Sequence, residues 1–427
     1  MIREFWVENF LSIRNRQTLN FETRSKEEEW ASATFGDGEK RVNKLAVIYG
    51  PNASGKSNIL LAIQNVFELL FYAQGKRTEL VRTRKPFALT SEEPTKMFVS
   101  FYANHLRYDY EIIYTRDHII SEKMDWYPNG VKAMFYERQY VAQDARVEIK
   151  FGSLVGISAK TKEIFLQNTL NNHSVLSVFE KISFENDAKP IADLYFWMAG
   201  YMHEVNIMQK SLVGTLKSVE KEPKTKRFFL DMLKKADFNI VDFHTETTKV
   251  KLPAGQLNIS EDSKGENVFV EAERSRAFFE NSAGNDKFKL SLEEQSEGTK
   301  KFLSNLSILY RAIKENHIFL VDEIDSEIHD DLLAYYLNTF VMNSKESQLI
   351  FTTHESSLLI EDILNNHRDF VFLAEKNREG AYSEYTRADE YGLHKNLSLY
   401  KSYRNGRLGA IPQLGSPLIY LEDDEEN

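Results

Sequence analysis

The chain has no cysteine in its 427 residues. That excludes disulfides, thiolate zinc sites and cysteine nucleophiles, and it agrees with a cytoplasmic setting. A basic excess is lacking too: the formal net charge is −10. Any contact with DNA therefore has to come from a local patch. No apolar run approaches the ~18 residues of a membrane span. The opening MIREFWVENF mixes charges with aromatics, unlike the apolar core of a signal peptide. Neither a repeat at a solenoid period nor a sustained heptad is visible. What remains is an ordinary globular balance, 42% hydrophobic and 28% charged, in a chain long enough for two or three domains. The expectation is a cytoplasmic protein with no membrane partner.

What is present starts with a glycine loop. The run LAVIY, Leu45 to Tyr49, reads as a buried parallel strand. It leads into Gly50, Pro51, Asn52, Ala53, Ser54, Gly55, Lys56 and Ser57, a match to G-x-x-x-x-G-K-[ST], with Asn58 next. Apolar residues then recur at three- and four-residue spacing (Ile59, Leu60, Ile63, Val66, Phe67, Leu70), which predicts a helix, with Gly75 as its stop. Glycines let a backbone wrap phosphates without Cβ clashes, and the helix N-terminus favours anions. Lys56 is expected to reach the β- and γ-phosphates of ATP, and Ser57 to hold Mg²⁺.

Such a loop calls for a second apolar strand ending in an acid. HIFLVDEID supplies it: Ile318 to Val321, then Asp322 and Glu323. Asp322 is expected to complete the Mg²⁺ shell. Glu323 is placed to orient and deprotonate the attacking water. Between these motifs, alternation predicts antiparallel strands: Met97, Val99 and Phe101 share a face, as do Tyr108, Tyr110, Ile112 and Tyr114, with Arg107, Asp109 and Glu111 opposite. From Ser158 to Asp237 the pattern is helical, and residues 238 to 290 read as strands and polar turns, with an exposed loop from Ser260. A periodic helix runs from Ser296 to Lys314 with Phe302, Leu303, Leu306, Leu309 and Ile313 inward, and QLIFT from Gln348 is a further buried strand. The tail LEDDEEN is acidic and expected to be solvated. Lys76, Arg77, Arg82, Arg84 and Lys85, interrupted by Glu79, form the local basic patch, either a DNA-phosphate contact or a solvated loop.

GPNASGKSN followed much later by QSEGTKKF resembles the ABC-type ATPases of the SMC, RecF and OLD kind. In that class a short signature before a helix caps the nucleotide bound on the opposite protomer. Here the resemblance implies Ser296, Glu297, Gly298 and Thr299 for that role, and Ser296 is also a good N-cap. It implies that His354, after QLIFTT, contacts the γ-phosphate, and that Asp325, Ser326 and His329 make dimer contacts. Gln139 is a candidate for the class's glutamine loop. More narrowly, IREFWVENFLSIRN, PFAL, QSEGTKK and YKSYRNGRLGAIP are similar to bacterial AAA-family ATPases allied to the abortive-infection protein AbiL and the restriction-linked protein RloA. Tyr400, Tyr403, Gly406, Arg407 and Pro412 carry the last of these motifs, with a packing loop anchored by tyrosines as the alternative reading.

The expected fold is α/β, an ABC-type P-loop NTPase head (a mixed sheet plus an antiparallel β-subdomain) with a helical insertion. Residues 1–155 and 285–427 would form the head, and 156–284 an arm for a partner. The chain after His354 is too short to add a nuclease domain, so the resemblance implies a separate effector, a nuclease or toxin, in phage defence with a phage-derived trigger. Two copies, or a larger homo-oligomer, would share ATP and Mg²⁺. The alternatives are a RecF-like DNA-repair ATPase and a nucleotide-sensing scaffold with little turnover.

Overall fold

Every residue from Leu45 to Tyr49 is buried, and the fold is organised around that strand. The structure, a computed structural model, describes residues 1–24, 32–36, 41–182, 188–208, 211–253, 269–394 and 396–412. The loop expected from Ser260 and the acidic tail lie outside these residues.

From the N-terminus, β1 (Ile2–Glu8) and β2 (Gln17–Asn20) pair antiparallel, as do the short β3 (Thr34–Phe35) and β4 (Val42–Asn43). Next, β5 (Leu45–Tyr49) leads into α1 (Lys56–Phe71). A meander follows: β6 (Thr95–Ala103), β7 (Leu106–Tyr114), β8 (Ile119–Trp126), β9 (Ala133–Val141) and β10 (Arg146–Phe151). After it come α2 (Ala159–Asn168), α3 (Lys189–Met208), α4 (Leu212–Lys221) and α5 (Pro223–Lys235), then β11 (Ile240–Pro253), β12 (Phe269–Ala283) and β13 (Asp286–Ser291). The last part holds α6 (Glu297–Lys314), β14 (Ile318–Val321), α7 (Asp330–Asn343), β15 (Gln348–Thr353) and α8 (Asp362–Asn365). It ends with β16 (Val371–Lys376), β17 (Ser383–Arg387) and α9 (Leu399–Arg404).

The central sheet has the order β14-β15-β5-β16-β17, with β17 antiparallel at one edge and the others parallel. β5 leaves into α1 on one face of the sheet, whereas the connection from β15 to β16 crosses β5 on the other through α8, so the connections switch faces there. Open α/β sheets bind ligands at the carboxyl ends of strands at such a switch. Both faces of β5 are covered, which is why its sequence is a continuous apolar run. Ala46 and Ile48 enter a core with α1, α3 and the antiparallel sheet β10-β9-β8-β7-β6-β1-β2. Leu45, Val47 and Tyr49 enter a second core with α4, α5, α6 and α7.

The apolar residues expected on α1 are all buried, each stabilising the fold by roughly 1.5–3 kcal/mol. The helix stops at Phe71 rather than at Gly75. Packing ends it early: Phe71 stacks on Tyr195 of α3 at 5.2 Å, and Tyr72, already extended, carries the Arg82 guanidinium over its ring. On β7, Asp109 is buried instead of solvated, because Arg107 and the Tyr127 hydroxyl both donate to it. Stretch 156–284 shares in both cores: α3 packs on α1, while α4 and α5 pack with α6. Near its start β12 has β11 as its neighbour without β13, and in this two-stranded ribbon Glu246, Thr247, Thr248, Lys249, Glu273 and Arg274 are exposed.

A buried ionic knot fastens residues 170–175 to the antiparallel sheet. Arg138 donates to the carbonyls of Ile119, Leu170 and Asn171 at 2.7, 3.0 and 3.1 Å. Its neighbour Glu122, 4.0 Å away, accepts from the hydroxyls of Tyr110 and Tyr136 and from the Val175 amide. Burial pushes the Glu122 carboxyl up, and Arg138 opposes that shift. Arg138→Met would leave Glu122 buried without its counter-charge, so urea unfolding is expected to show a loss of ~3–5 kcal/mol. A loss below ~1 kcal/mol would contradict this account.

Candidate nucleotide-binding site

The carboxyl end of β5 turns directly into the glycine loop. At Gly50 a Cβ would overlap the Ala374 carbonyl oxygen, so only glycine fits beside β16. Ala53 and Gly55 have φ of 62° and 100°, the left-handed region that lets successive amides point to one concavity. Gly55 also caps α1 without a side chain, so no side chain takes up the first-turn amides, of which that of Asn58 donates to the Gly55 carbonyl, and no acid occupies that turn. The helix end is thus electropositive and open to an anion.

A framework from distant strands holds this loop. Ser12, just after β1, accepts from the Asn58 side chain at 2.7 Å and meets the Ser383 hydroxyl at 2.7 Å. The Tyr385 hydroxyl donates to the Gly55 carbonyl at 2.7 Å. A Cβ at Gly55 would overlap the Ser383 hydroxyl. Asn58 therefore serves the framework, while Asn52 and Ala53 are exposed at the rim and Ser54 is buried beneath it.

Lys56 is buried, with Nζ donating to the carbonyls of Gly50 and Pro51 at 2.8 and 3.1 Å. Desolvation lowers its pKa, and the charges of Asp322, Glu323 and Asp325 partly restore it. The sheet thus brings the loop lysine and the acid turn after β14 to one crevice. Asp322 accepts from the Thr352 hydroxyl at 2.5 Å. Glu323 adopts φ 47°, a left-handed conformation costing ~1–3 kcal/mol in a residue of this kind. Its amide donates to the Thr352 hydroxyl at 2.8 Å, and its carbonyl accepts from Lys301 Nζ at 3.0 Å. Both acid side chains are exposed to the crevice.

His354 follows β15, as its sequence position implies. Its Nδ1 lies 3.2 Å from Asp325 Oδ2, and its ring is exposed. Asp325, read from the sequence as a dimer contact, is buried and orients this histidine. Ser326 is half-buried, and His329 caps α7 by accepting from the Asp331 amide. Ser296 caps α6, accepting from the Thr299 amide at 3.1 Å. Ser296 and Glu297 are exposed, Gly298 is half-buried and Thr299 is buried. A Cβ at Gly298 would come within 2.6 Å of the Glu327 carbonyl oxygen, so the tip of α6 packs on the acid loop. Among the described residues no hydrogen bond or ion pair links 296–299 to 50–58.

Gln139 is not part of this site. It lies exposed on β9, separated from β1 by three strands, pairing with Ser121 and Glu148. The C-terminal motif is closer. Tyr403 packs on Tyr49, ring centroids 6.1 Å apart, and its hydroxyl donates to the Ala410 carbonyl. Gly406, at φ 71°, closes α9, and the Ala410 amide donates to Glu375 at the end of β16. Tyr400 is half-buried, whereas Arg407 and Pro412 are exposed. Four of the buttressing residues carry little sequence signal: Ser12, Ser383, Tyr385 and Thr352. Lys301 stands within the QSEGTKKF run, but the resemblance gives it no role.

The donor set fits Mg²⁺: a hydroxyl at Ser57 and a carboxylate at Asp322, hard oxygens next to a phosphate cradle. Among the described residues there is no cluster of three or more His, Asp or Glu side chains for a metal. Mg²⁺ at phosphate sites is commonly held by one or two protein oxygens plus substrate phosphates.

An apolar parallel core, a glycine loop on β5, an acid turn on β14 with β15 between them, and an antiparallel sheet alongside define an ABC-type P-loop NTPase head. The chain belongs to the family described as "AAA domain, putative AbiEii toxin, Type IV TA system", which matches residues 45–361. No curated protein matches it. Three solved structures are similar at low identity. One is an SMC head bound to the C-winged helix domain of ScpA, 13% identical, covering 94% of this chain and 99% of that one with a TM-score of 0.38. Another is the SMC head domain from Thermotoga maritima, 12% identical, with 90% and 98% covered and a TM-score of 0.40. The third is an SMC head with an extended coiled coil, bound to the C-terminal domain of ScpA derived from Pyrococcus furiosus, 13% identical, with 95% and 98% covered and a TM-score of 0.37. No helix among the described residues is long and apolar enough to cross a membrane.

Proposed function

We propose that this chain binds and hydrolyses ATP, two copies closing head to tail around the nucleotide, and that this cycle governs a separate toxic effector in anti-phage defence. The observation that carries the shared site is the tip of α6. Its capped, exposed N-terminus is fixed to its own acid loop, and among the described residues no hydrogen bond or ion pair joins it to its own glycine loop. Such a tip suits the γ-phosphate held by Lys56 of a second copy.

In this reading the amides of 50–57 and the Lys56 ammonium hold the triphosphate. Ser57 and Asp322 hold Mg²⁺, which supplies charge neutralisation for the phosphates. Glu323 orients the water and takes its proton, while His354, held by Asp325, contacts the γ-phosphate. Ser296 and Gly298 of the other copy close the site. ATP then favours the closed pair and hydrolysis favours release, a two-state switch.

The toxin–antitoxin wording of the family description supports a defence role. The head would be 1–155 with 285–427, and stretch 156–284, with its exposed ribbon, would grip the effector. In a host carrying the neighbouring genes, Lys56→Ala is expected to abolish phage protection. Unchanged protection would contradict the defence role. Four exposed cations, Lys76, Arg77, Arg82 and Lys85, favour the RecF-like reading, which requires DNA-stimulated turnover independent of any neighbouring toxin.

A further inference from the structure

Both acids of the site hang from a single buried hydroxyl. Thr352, fully buried on β15, donates to Asp322 Oδ1 at 2.5 Å and accepts the Glu323 amide at 2.8 Å. Its own carbonyl accepts the Ile324 amide at 3.2 Å. Three consecutive residues of the acid turn are thereby tied to one residue of the neighbouring strand. The turn needs such a tie, since Glu323 sits at φ 47°, where a residue with a Cβ is strained.

We propose that Thr352 is a positioning residue for the ATPase centre, setting the direction of the Asp322 carboxylate toward the metal and the bend that presents Glu323 to water. The inference rests on the ATPase reading given above. A hydroxyl is the group the geometry requires. It can donate to a carboxylate and accept from an amide at once, which neither a methyl nor an ammonium can do. Donation to Oδ1 leaves the other oxygen of Asp322 to face a cation and fixes the carboxylate plane. Neighbours of metal ligands act in this way, and removing one weakens metal binding by ~10–100-fold. The neighbouring residue Thr353 has a different part, accepting the Glu355 amide after the strand.

The test compares Thr352→Val with Thr352→Ser. Valine keeps the volume and the β-branched shape that a buried strand favours, and loses both bonds. Serine keeps the hydroxyl. Mn²⁺ binding is read by electron paramagnetic resonance with a non-hydrolysable ATP analogue present, beside kcat, the metal half-saturation and the melting temperature. Thr352→Val is expected to weaken Mn²⁺ binding ~10–100-fold and to lower kcat, while binding of the analogue without metal stays as in the wild type. Thr352→Ser should restore Mn²⁺ binding to within about threefold. Wild-type Mn²⁺ affinity in Thr352→Val, or equal loss in both variants, overturns the assignment. A wild-type protein that binds neither the analogue nor Mn²⁺ overturns the ATPase reading, and the assignment with it.

Discussion

Glu323→Gln is expected to lower ATP turnover by about 10²–10⁴-fold while ATP still binds. Glutamine keeps the size of the side chain and its capacity to accept from water, but it cannot take up a proton. The backbone of the turn is pinned by Thr352 and Lys301, so the exchange leaves the loop in place. If ATP closes the pair and hydrolysis opens it, the variant accumulates as an ATP-bound dimer. Sedimentation with ATP present should show that dimer, and the wild type should return to monomer as its ATP is spent. Turnover within threefold of the wild type would favour the scaffold reading.

Lys56→Ala is expected to weaken ATP binding by about 10²–10³-fold, the loss of two charge-assisted hydrogen bonds to phosphate. Burial has already taken part of the water from the ammonium, and two loop carbonyls hold it in place. It enters the site prepared, with little ordering left to pay when an anion arrives. A fluorescent ATP analogue titrated against both proteins reads the difference directly. Affinity within threefold of the wild type would mean that the loop does not take phosphate through this residue.

The parts of this architecture that are local in sequence were legible. Strand, glycine loop and helix at 45–71 follow one another without interruption, and periodicity marks six of the buried residues of α1, to which the structure adds Lys56, Ala62, Asn65 and Leu69. On α6 the serine cap and four of the five expected inner residues hold, while Ile313 is half-buried, and the acids follow Ile318–Val321 as the motif requires. What was not legible is what the topology brings from afar. Ser12, Ser383 and Tyr385 buttress Gly55 from positions far from it in the chain. No periodicity marks a serine or tyrosine that will meet a loop 46 residues away, as Ser12 does, or 330 away, as Tyr385 does. The resemblance gives Asp325 only as part of a dimer loop; its grip on His354 depends on β14 and β15 lying side by side. Gln139 is no loop residue, because it lies within β9 of the meander, and α1 ends before Gly75 because aromatic packing, not glycine, stops the helix.

The C-terminal tyrosine motif resolves into chemistry of a plain kind. Tyr403 rests on the last residue of β5, and Ala410 is tied to Glu375 beside the glycine loop. Sequence alone could not say whether this motif packs or reacts. Its buried anchors at the carboxyl end of the sheet make it a brace for the strand that carries the site.

The shared site can be tested by mixing two inactive proteins. Lys56→Ala cannot hold the triphosphate. Ser296→Asp keeps a good helix cap but sets a negative charge against the incoming γ-phosphate. A mixed pair contains one intact site, built from Lys56 of one copy and Ser296 of the other. At equal amounts, half the dimers are mixed and half of their sites are whole, so the mixture is expected to recover about a quarter of wild-type turnover. A mixture as inactive as its two parents, or Ser296→Asp active by itself, would contradict a site shared between copies.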